Sequence, residues 1–369
     1  IANYSGYKLW NSRINVNVSP KTWFNAGINI DGGFANRRDV PSGGTATTNP
    51  FYYTRQMGPI YPVYQHNLTS GAIVIDSATG NPKYDFGVPE QMGTRPYAGR
   101  SNVAATLDLD ERSSKIFNGN ANIFGEIKFL KDFSFKGTLG LNYLATNNTT
   151  YQNNQYGDAA PSTPGGADGG RSTKANDRAV SLTGNQVLSW SKMIAGKHNV
   201  RALVGHENYR YKYNYLEGSK SGFIFPGYTD LDNGATATNP ASSYENNHTI
   251  ESYFSNLNYD YDGRYLLSAS YRTDGSSRFA PDTRWGDFYS VGLGWRISGE
   301  KFMEGKKKTV NELKLRGSYG EQGNENIGLL YTYNDYYFAN GVGGYTPPNP
   351  SRVANKELQW ETNSVLNLG

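Results

Sequence analysis

The stretch YSVGLGWRIS, residues 289–298, alternates strictly between large apolar side chains and small or polar ones. The two alternating sets are Tyr289, Val291, Leu293, Trp295, Ile297 and Ser290, Gly292, Gly294, Arg296, Ser298. Successive side chains of a β-strand point to opposite faces of the sheet, so this segment has one apolar face and one polar face. The pattern predicts a strand that separates an apolar environment from a polar one.

The same alternation recurs in residues 24–31, 133–143, 265–271 and 313–319. Extending it along the chain predicts eleven strands, at about 4–18, 22–33, 111–129, 133–150, 177–192, 198–213, 249–261, 264–275, 286–298, 311–321 and 356–369. Strands of soluble proteins average about 5–6 residues. A tilted strand needs about 9–11 residues to cross the hydrocarbon of a membrane. The predicted lengths therefore favour membrane-spanning strands.

The predicted connections alternate between short and long. Short connections lie near 19–21, 131–132, 195–197 and 262–263, with a slightly longer one at 300–309. Long connections cover about 34–110, 151–176, 213–248, 276–285 and 323–355. Short periplasmic turns opposite long extracellular loops are the layout of an outer-membrane barrel. A soluble sandwich, the competing all-β fold, has no reason to keep this parity.

Composition agrees with a barrel and excludes several other classes. Among 369 residues, 37% are hydrophobic, yet the chain holds 29 Tyr and 43 Gly, as expected when only alternate residues face lipid. No apolar run reaches the roughly 18 residues of a spanning helix. The 36 basic and 32 acidic residues are too balanced to indicate nucleic acid. The chain has no Cys, H-E-x-x-H, P-loop or G-x-S-x-G motif, so we expect no enzyme, metal site or cofactor.

The strand count predicts how much of a barrel this chain supplies. Bacterial single-chain barrels close with an even number of strands. An open edge in lipid leaves unpaired backbone groups, each costing several kcal/mol. We therefore expect an all-β, antiparallel transmembrane barrel in which residues 1–369 form one partial domain. About 11 strands of a 22-stranded barrel are expected here, with further strands elsewhere.

Three segments carry a family resemblance. Residues 272–302 read RTDGSSRFAPDTRWGDFYSVGLGWRISGEKF, 313–324 read LKLRGSYGEQGN, and 355–369 read NKELQWETNSVLNLG. These strongly resemble the barrel of SusC/RagA-type TonB-dependent transporters of the Bacteroidetes. The resemblance implies a 22-stranded barrel with an N-terminal plug and a TonB box, capped outside by a SusD-like lipoprotein lid. It also implies TonB-energised import of oligosaccharides or peptides across the outer membrane.

The chain departs from the complete family pattern in one respect. It shows no recognisable plug, TonB box or final strands, which are the parts that carry energy coupling. A structural or adhesive outer-membrane barrel with no active transport role therefore stays open as an alternative. Both hypotheses place outer-membrane lipid around the strands.

The residues of the family motif are Arg272, Asp274, Gly275, Ser276, Ser277, Arg278, Phe279, Trp285, Gly286 and Trp295. We expect residues 274–277 to lie where a strand leaves the membrane and turns, with Gly275 at positive φ and the two hydroxyls capping backbone groups. Arg272, Arg278 and Arg284 are expected to pair with Asp274, Asp282 and Asp287. A rigid barrel rim is the favoured interpretation, and direct ligand contact is the alternative.

Aromatic residues in the predicted long loops are candidate substrate contacts. These candidates are Tyr52, Tyr53, Arg55, Tyr61, Tyr336 and Tyr337. Flat, amphipathic rings beside polar groups suit sugars and peptides equally well. Packing of the loops against one another or against a lid protein is the competing interpretation. Aromatic residues at strand ends are predicted instead to form the membrane girdle or the barrel wall, namely Trp10, Trp23, Trp190, Trp295 and Trp360.

Overall fold

The computed structural model describes residues 4–40, 49–77, 79–85, 87, 101–155, 157–161, 168–225, 227–306, 309–328, 330, 336–337, 350–352 and 354–369. Eleven strands form one sheet in which each strand pairs with its neighbour in chain order. They are β1 (Gly6–Lys21), β2 (Phe24–Arg38), β3 (Glu111–Phe129), β4 (Phe133–Gln152), β5 (Arg171–Ile194), β6 (His198–Phe223), β7 (Gly234–Tyr261), β8 (Tyr265–Ser276), β9 (Trp285–Arg296), β10 (Lys314–Asn324) and β13 (Glu361–Leu368). A separate small sheet pairs β11 (Tyr336–Tyr337) with β12 (Pro350–Arg352).

The predicted fold class is confirmed. Every pairing in the large sheet is antiparallel. Three of the short connections lie where the sequence predicts them, whereas the one predicted at 19–21 lies at 22–23, because β1 continues to Lys21. Leu130 and Lys131 (φ 48° and 62°), Ala195 and Gly196, and Asp262 and Gly263 all take left-handed backbone conformations. Two successive left-handed residues reverse the chain within a few positions and match the twist of the flanking strands.

Several strand ends differ from the prediction: β2 continues to Arg38 instead of 33, and the last strand covers Glu361–Leu368 instead of 356–369. The largest differences are in β5, β6 and β7, so the expected loop at 213–248 is largely wrong. β6 continues to Phe223 and β7 begins at Gly234, which leaves ten residues between them. β5 begins at Arg171 instead of 177. These extensions carry no regular apolar alternation. Antiparallel backbone pairing between β6 and β7 stabilises these extended segments, with register shifts near Glu217 and Ser219.

The register aligns apolar side chains into rows across the sheet. One row is Phe133, Trp190, Ala202, Leu257, Ala269, Val291, Tyr319 and Leu366. The adjacent row, on the opposite face, is Ser134, Ser189, Leu203, Asn256, Ser270, Ser290 and Gly320. Within the described part of the chain, no second layer covers the apolar face, since Ile14, Val204 and Leu293 are 57%, 55% and 62% exposed. We call this the outward face and the polar one the lumen face.

The sheet is open. β1 and β13 each have a strand neighbour on one side only in the described sheet. In hydrocarbon, each unpaired backbone group on such an edge would cost several kcal/mol. Further strands at both edges would remove this cost.

A small module lies between β2 and β3. It contains helices α1 (Pro50–Gln56) and α2 (Val103–Leu109), which are capped by Asn49 and Asn102. The Asn102 amide also donates to the carbonyls of Val63 (2.8 Å) and Asp85 (2.9 Å), which ties the module together. No helix among the described residues is both long and apolar enough to cross a membrane.

Candidate functional site: lumen wall and rim

Arg272 lies on the lumen face of β8 at the centre of a polar network. Its Nε contacts Asp274 Oδ1 at 2.7 Å, and its Nη2 contacts Glu207 Oε1 at 3.0 Å. The same Nη2 donates to Ser252 Oγ at 2.8 Å. The guanidinium also lies over the ring of Phe254, 5.6 Å from the ring centroid. One cation therefore joins β6, β7 and β8 through charge-assisted hydrogen bonds, which are about twice as strong as neutral ones.

The network extends to β5 through Asn185, whose amide donates to Glu207 Oε2 at 3.0 Å. Two carboxylates neutralise Arg272, so the guanidinium braces the wall while its side chain stays 40% exposed to the lumen. Glu207 and Ser252 are parts of this site that sequence reasoning missed. They lie 65 and 20 positions from Arg272, and no local pattern marks them.

The two serines of the motif cap backbone groups, as expected. The Ser277 N–H donates to the Thr249 carbonyl at 2.9 Å, and the Thr249 N–H donates to Ser277 Oγ at 2.9 Å. Ser276 N–H donates to the Arg284 carbonyl at 3.1 Å, and Ser276 Oγ accepts from the Arg278 N–H at 3.2 Å. These reciprocal bonds fasten the end of β8 to β7 and fix the path of the following turn.

Gly275 corrects one expectation. It lies inside β8 and does not have positive φ. A Cβ at this position would lie 2.8 Å from Trp285 Cε2, because the indole covers the glycine from the neighbouring strand. Close approach of an aromatic ring, and not a turn, is the reason that this position suits glycine. Trp285 is 47% exposed on the outward face and stacks on Tyr253, with the ring centroids 6.2 Å apart.

An aromatic cluster anchors the turn that follows the serines. Phe279 is fully buried and contacts Trp360, with the ring centroids 5.7 Å apart. Trp360 also packs edge-on against Phe288 at 5.5 Å, and its Nε1 donates to the Arg284 carbonyl at 2.8 Å. The girdle assignment of Trp360 is therefore wrong, because this side chain fixes the rim to the segment before β13. Gly286 lies against the same indole, since a Cβ there would lie 2.7 Å from Trp360 Cγ.

Arg278 takes part in an ion-pair cluster at the rim. His248 Nε2 lies 3.1 Å from Glu325 Oε2, and Arg278 Nε lies 3.7 Å from Glu325 Oε1. Burial works to raise the pKa of Glu325, but the hydrogen bonds from His248 and Ser276 and the charge of Arg278 outweigh it and hold that pKa below its usual range. The carboxylate therefore stays ionised and joins β7, the motif turn and the segment after β10. Sequence reasoning missed both His248 and Glu325.

The predicted pairing of the motif arginines is correct only in part. Arg272 pairs with Asp274 as expected. Arg278 pairs with Glu325 instead of a motif aspartate. Asp287 accepts a hydrogen bond from the Tyr271 hydroxyl at 2.7 Å on the outward face. Asp287 faces outward because strand alternation sends it away from the lumen-facing arginines.

Trp295 lies at the opposite, short-turn end of the sheet. It is 37% exposed on the outward face, and its Nε1 donates to Glu300 Oε1 at 3.1 Å. The Tyr265 hydroxyl donates to the same oxygen at 2.7 Å, and Arg264 Nη1 lies 3.0 Å from Glu300 Oε2. An aromatic ring with one wet, hydrogen-bonded edge is typical of a membrane interface.

Helix α1 carries three of the six loop candidates, Tyr52, Tyr53 and Arg55. Tyr53 is 6% exposed, and its hydroxyl donates to the Ser101 carbonyl at 3.0 Å, so this ring packs the module together. Tyr52 is 41% exposed, Arg55 is exposed and Tyr61 is half-buried. The Tyr52 and Arg55 side chains are exposed to solvent, whereas the Tyr53 ring is not. Tyr336 and Tyr337 form β11, and their side chains lie outside the described part of the structure.

Within the described ranges, no group of three or more His, Asp or Glu side chains is arranged to hold a metal ion. The site is therefore described by its polar lumen wall, its braced rim and the exposed side chains of the β2–β3 module.

Comparison with known proteins connects this architecture to transporters. The TonB-dependent receptor P39 of Formosa agariphila is 30% identical over 284 residues, which are 73% of this chain and 25% of that protein. The TonB-dependent receptor SusC of Bacteroides thetaiotaomicron is 30% identical over 332 residues, which are 84% of this chain and 31% of that protein. The solved structure of the RagAB peptide transporter superposes with a TM-score of 0.75 at 24% identity, covering 99% of this chain and 38% of that chain. No family model matches the chain.

The chain thus spans between a quarter and a third of the length of these two curated relatives. The structural likeness covers the whole described sheet and agrees with its antiparallel order.

Proposed function

This chain is part of the barrel of a SusC/RagA-type TonB-dependent transporter, and we propose that it forms about half of the wall of an outer-membrane importer. The observation that carries the proposal is the two-faced sheet. Rows of apolar side chains cover the outward face, and rows of Ser, Asn and Gly cover the lumen face. A lipid-facing apolar surface combined with a polar lumen is what a transport barrel requires.

The proposed complete protein has 22 strands, so eleven further strands close both open edges of this sheet. An N-terminal plug and a TonB box outside this chain couple import to TonB. A SusD-like lipoprotein closes the extracellular mouth as a lid. The substrate is an oligosaccharide or a peptide. The name of the RagAB structure supports the peptide class for that relative.

We assign two roles to the residues singled out by sequence. The motif residues 272–279, with Gly286, hold the extracellular rim rigid through the Arg272 network, the serine caps and the Phe279–Trp360 contact. Tyr52, Arg55 and Tyr61 contact substrate, as do Tyr336 and Tyr337. Tyr53 supports the first group from inside its module.

The experiment is growth of a deletion strain on a panel of oligosaccharides and peptides as sole nutrient. We expect growth to fail on one class and to return when the complete gene is supplied. Normal growth on every member of the panel would contradict import. A strain that carries the gene but lacks TonB should show the same defect.

A paired variant then tests the substrate contacts in the complete protein. Tyr52→Ala with Arg55→Ala should weaken uptake about tenfold if each side chain contributes a net hydrogen bond or ring contact of about 0.5–1.5 kcal/mol. Gln56→Ala is the matched control, because it shortens another exposed side chain of the same helix that is not assigned to substrate. Equal uptake by the double variant and the control would contradict the assignment.

A further inference from the structure

Basic side chains border the apolar band on the outward face at its long-loop edge. In β1, β2 and β3, the last aromatic row is Trp10, Phe34 and Phe117. The next row on the same face is Lys8, Asn36 and Lys115. Cations therefore begin directly where the apolar surface ends.

The border continues on β5 and β6. Arg210 pairs in register with Leu182, and Lys212 pairs with Val180. Arg178 lies one row further toward the long loops, where it pairs with Asn214. Side chains two positions apart on one strand lie about 7 Å apart, so these three cations are close neighbours. We name Lys8, Lys115, Arg178, Arg210 and Lys212 the cationic collar. All five side chains are exposed.

The collar is incompletely neutralised. Lys212 Nζ lies 2.8 Å from Glu245 Oε2, and Arg178 Nη2 donates to the amide oxygen of Asn214 at 3.2 Å. Glu251, the next outward carboxylate on β7, lies 3.2 Å from His206. Across the described residues, no carboxylate lies within ion-pair distance of Lys8, Lys115, Arg178 or Arg210. Neighbouring like charges on one face repel each other, so an anion between them would stabilise the sheet.

A crevice adjoins the collar on the outward face. Its volume is about 710 Å³, and it is lined by Lys115, Lys174, Asn147, Asn176, Leu216 and two carboxylates, Glu111 and Glu217. Thr229 and Leu231, from the connection between β6 and β7, form its roof. Lys174 Nζ forms an ion pair with Asp230 Oδ1 at 3.2 Å, which fixes this connection over the crevice. The volume lies within the range of about 300–1,000 Å³ that is typical of small-molecule sites.

We propose that the collar and this crevice bind the phosphorylated head group of lipid A, the glycolipid of the outer leaflet. The proposal rests on the outer-membrane placement proposed above. Two observations support the proposal: the collar is positively charged, and it lies at the long-loop edge of the apolar band. The acyl chains of lipid A would cover that band, so its negatively charged phosphates would lie at the level of the collar. Arginine binds phosphate with two parallel hydrogen bonds. Amides and hydroxyls in the crevice suit the sugar.

The test uses the complete protein purified in mild detergent. Lipid A that stays bound is quantified by mass spectrometry for the wild type and for the variant K115Q/R178Q/R210Q. Each cation near an anionic lipid surface contributes about 1 kcal/mol, or about fivefold in binding. We therefore expect the variant to retain less than a tenth of the lipid A bound by the wild type. Equal retention would overturn the proposal.

The matched control is K136Q/R201Q/R316Q, which removes the same charge from the lumen face and should keep wild-type lipid A. Heat-modifiable migration on a gel by the wild type and both variants shows that each barrel is folded. A loss of lipid A from a folded barrel then concerns the collar, whereas loss of heat-modifiable migration in the wild type would contradict the barrel proposal itself. If the collar variant changes oligomeric state while lipid A content stays constant, the collar contacts another protein copy and the proposal fails.

A second measurement needs no variant. Lipid A added to delipidated wild-type protein should raise its thermal unfolding midpoint, whereas chemically dephosphorylated lipid A should not. Equal shifts with the two lipids would show that phosphate is not recognised and would overturn the proposal.

Discussion

Gly323, in β10, has no room for a side chain. A Cβ at this position would lie 2.1 Å from Phe288 Cζ, and Phe288 in turn packs against Trp360. Gly323→Ala should therefore displace the ring and lower the free energy of unfolding by about 1–3 kcal/mol, the usual cost of overpacking. The shift is measured as the urea midpoint of the complete protein in lipid vesicles.

The control for this prediction is Gly137→Ala in β4, where a Cβ would meet nothing within 4 Å. It should stay within about 0.5 kcal/mol of the wild type. If both alanine variants unfold at the same urea concentration, the aromatic cluster does not set the stability of the rim.

Glu325 gives the rim a pH dependence. Its pKa in the folded protein lies below the ordinary value of 4.5, so the folded state favours the carboxylate. The resulting stabilisation is fully present above the ordinary pKa and disappears as pH falls through the lower, folded-state value. Glu325→Gln should therefore lower stability by about 1.5–3 kcal/mol at pH 7, the contribution of a hydrogen bond to a charged group.

The measurement is the unfolding midpoint of wild type and Glu325→Gln between pH 7 and pH 3. The two midpoints should converge as the solution becomes acidic. A gap that is constant over this range would show that ionisation of Glu325 does not contribute to the folded rim.

For single residues, sequence predicts the kind of interaction a side chain makes better than it predicts which residue the side chain contacts. The hydroxyls of Ser276 and Ser277 cap backbone groups as their residue types suggest. By contrast, a glycine at position 275 can indicate either a positive φ or the close approach of another group, and sequence does not distinguish the two. In the structure, the reason is the Trp285 ring that lies against this glycine. Glu325 contacts His248 across 77 positions, so no local pattern identifies this pair.

Strand β9 shows how far an element can be predicted. Its alternation sets the outward residues, and Leu293 is indeed 62% exposed on that face. The ends of β6 and β7 could not be predicted in the same way. Residues such as Ser219 and Asn239 show no apolar alternation, and backbone pairing across the ladder keeps them extended.

Leu293→Arg tests the assignment of the faces. The substitution should place a cation against lipid and cost about 2–4 kcal/mol near the membrane midplane. Ser318→Arg on the lumen face of the neighbouring strand is the control, and it should fold with wild-type yield because its side chain meets water. Folding yield in lipid vesicles measures both, and equal yields would contradict the assignment of inside and outside.

Across the whole molecule, the apolar band shifts along the strands from one edge of the sheet to the other. Trp10 and Phe117 mark its long-loop border on β1 and β3, whereas Tyr271 and Tyr289 mark it on β8 and β9, nearer the short turns. Strands tilted by about 35–45° in a membrane barrel produce this drift. Sequence predicts the band in each strand separately, but the drift depends on register, which no single segment encodes.

The central claim is that alternate residues of each strand face lipid and a polar lumen. This chain has no Cys, so once any cysteine elsewhere in the complete transporter is replaced, single cysteines can be placed along residues 288–295 and labelled with a fluorophore. The labelled transporter is reconstituted in vesicles that contain a lipid-borne quencher. Quenching should be strong at 289, 291, 293 and 295 and weak at 288, 290, 292 and 294. Quenching that is uniform along the segment, or absent throughout, would contradict the account.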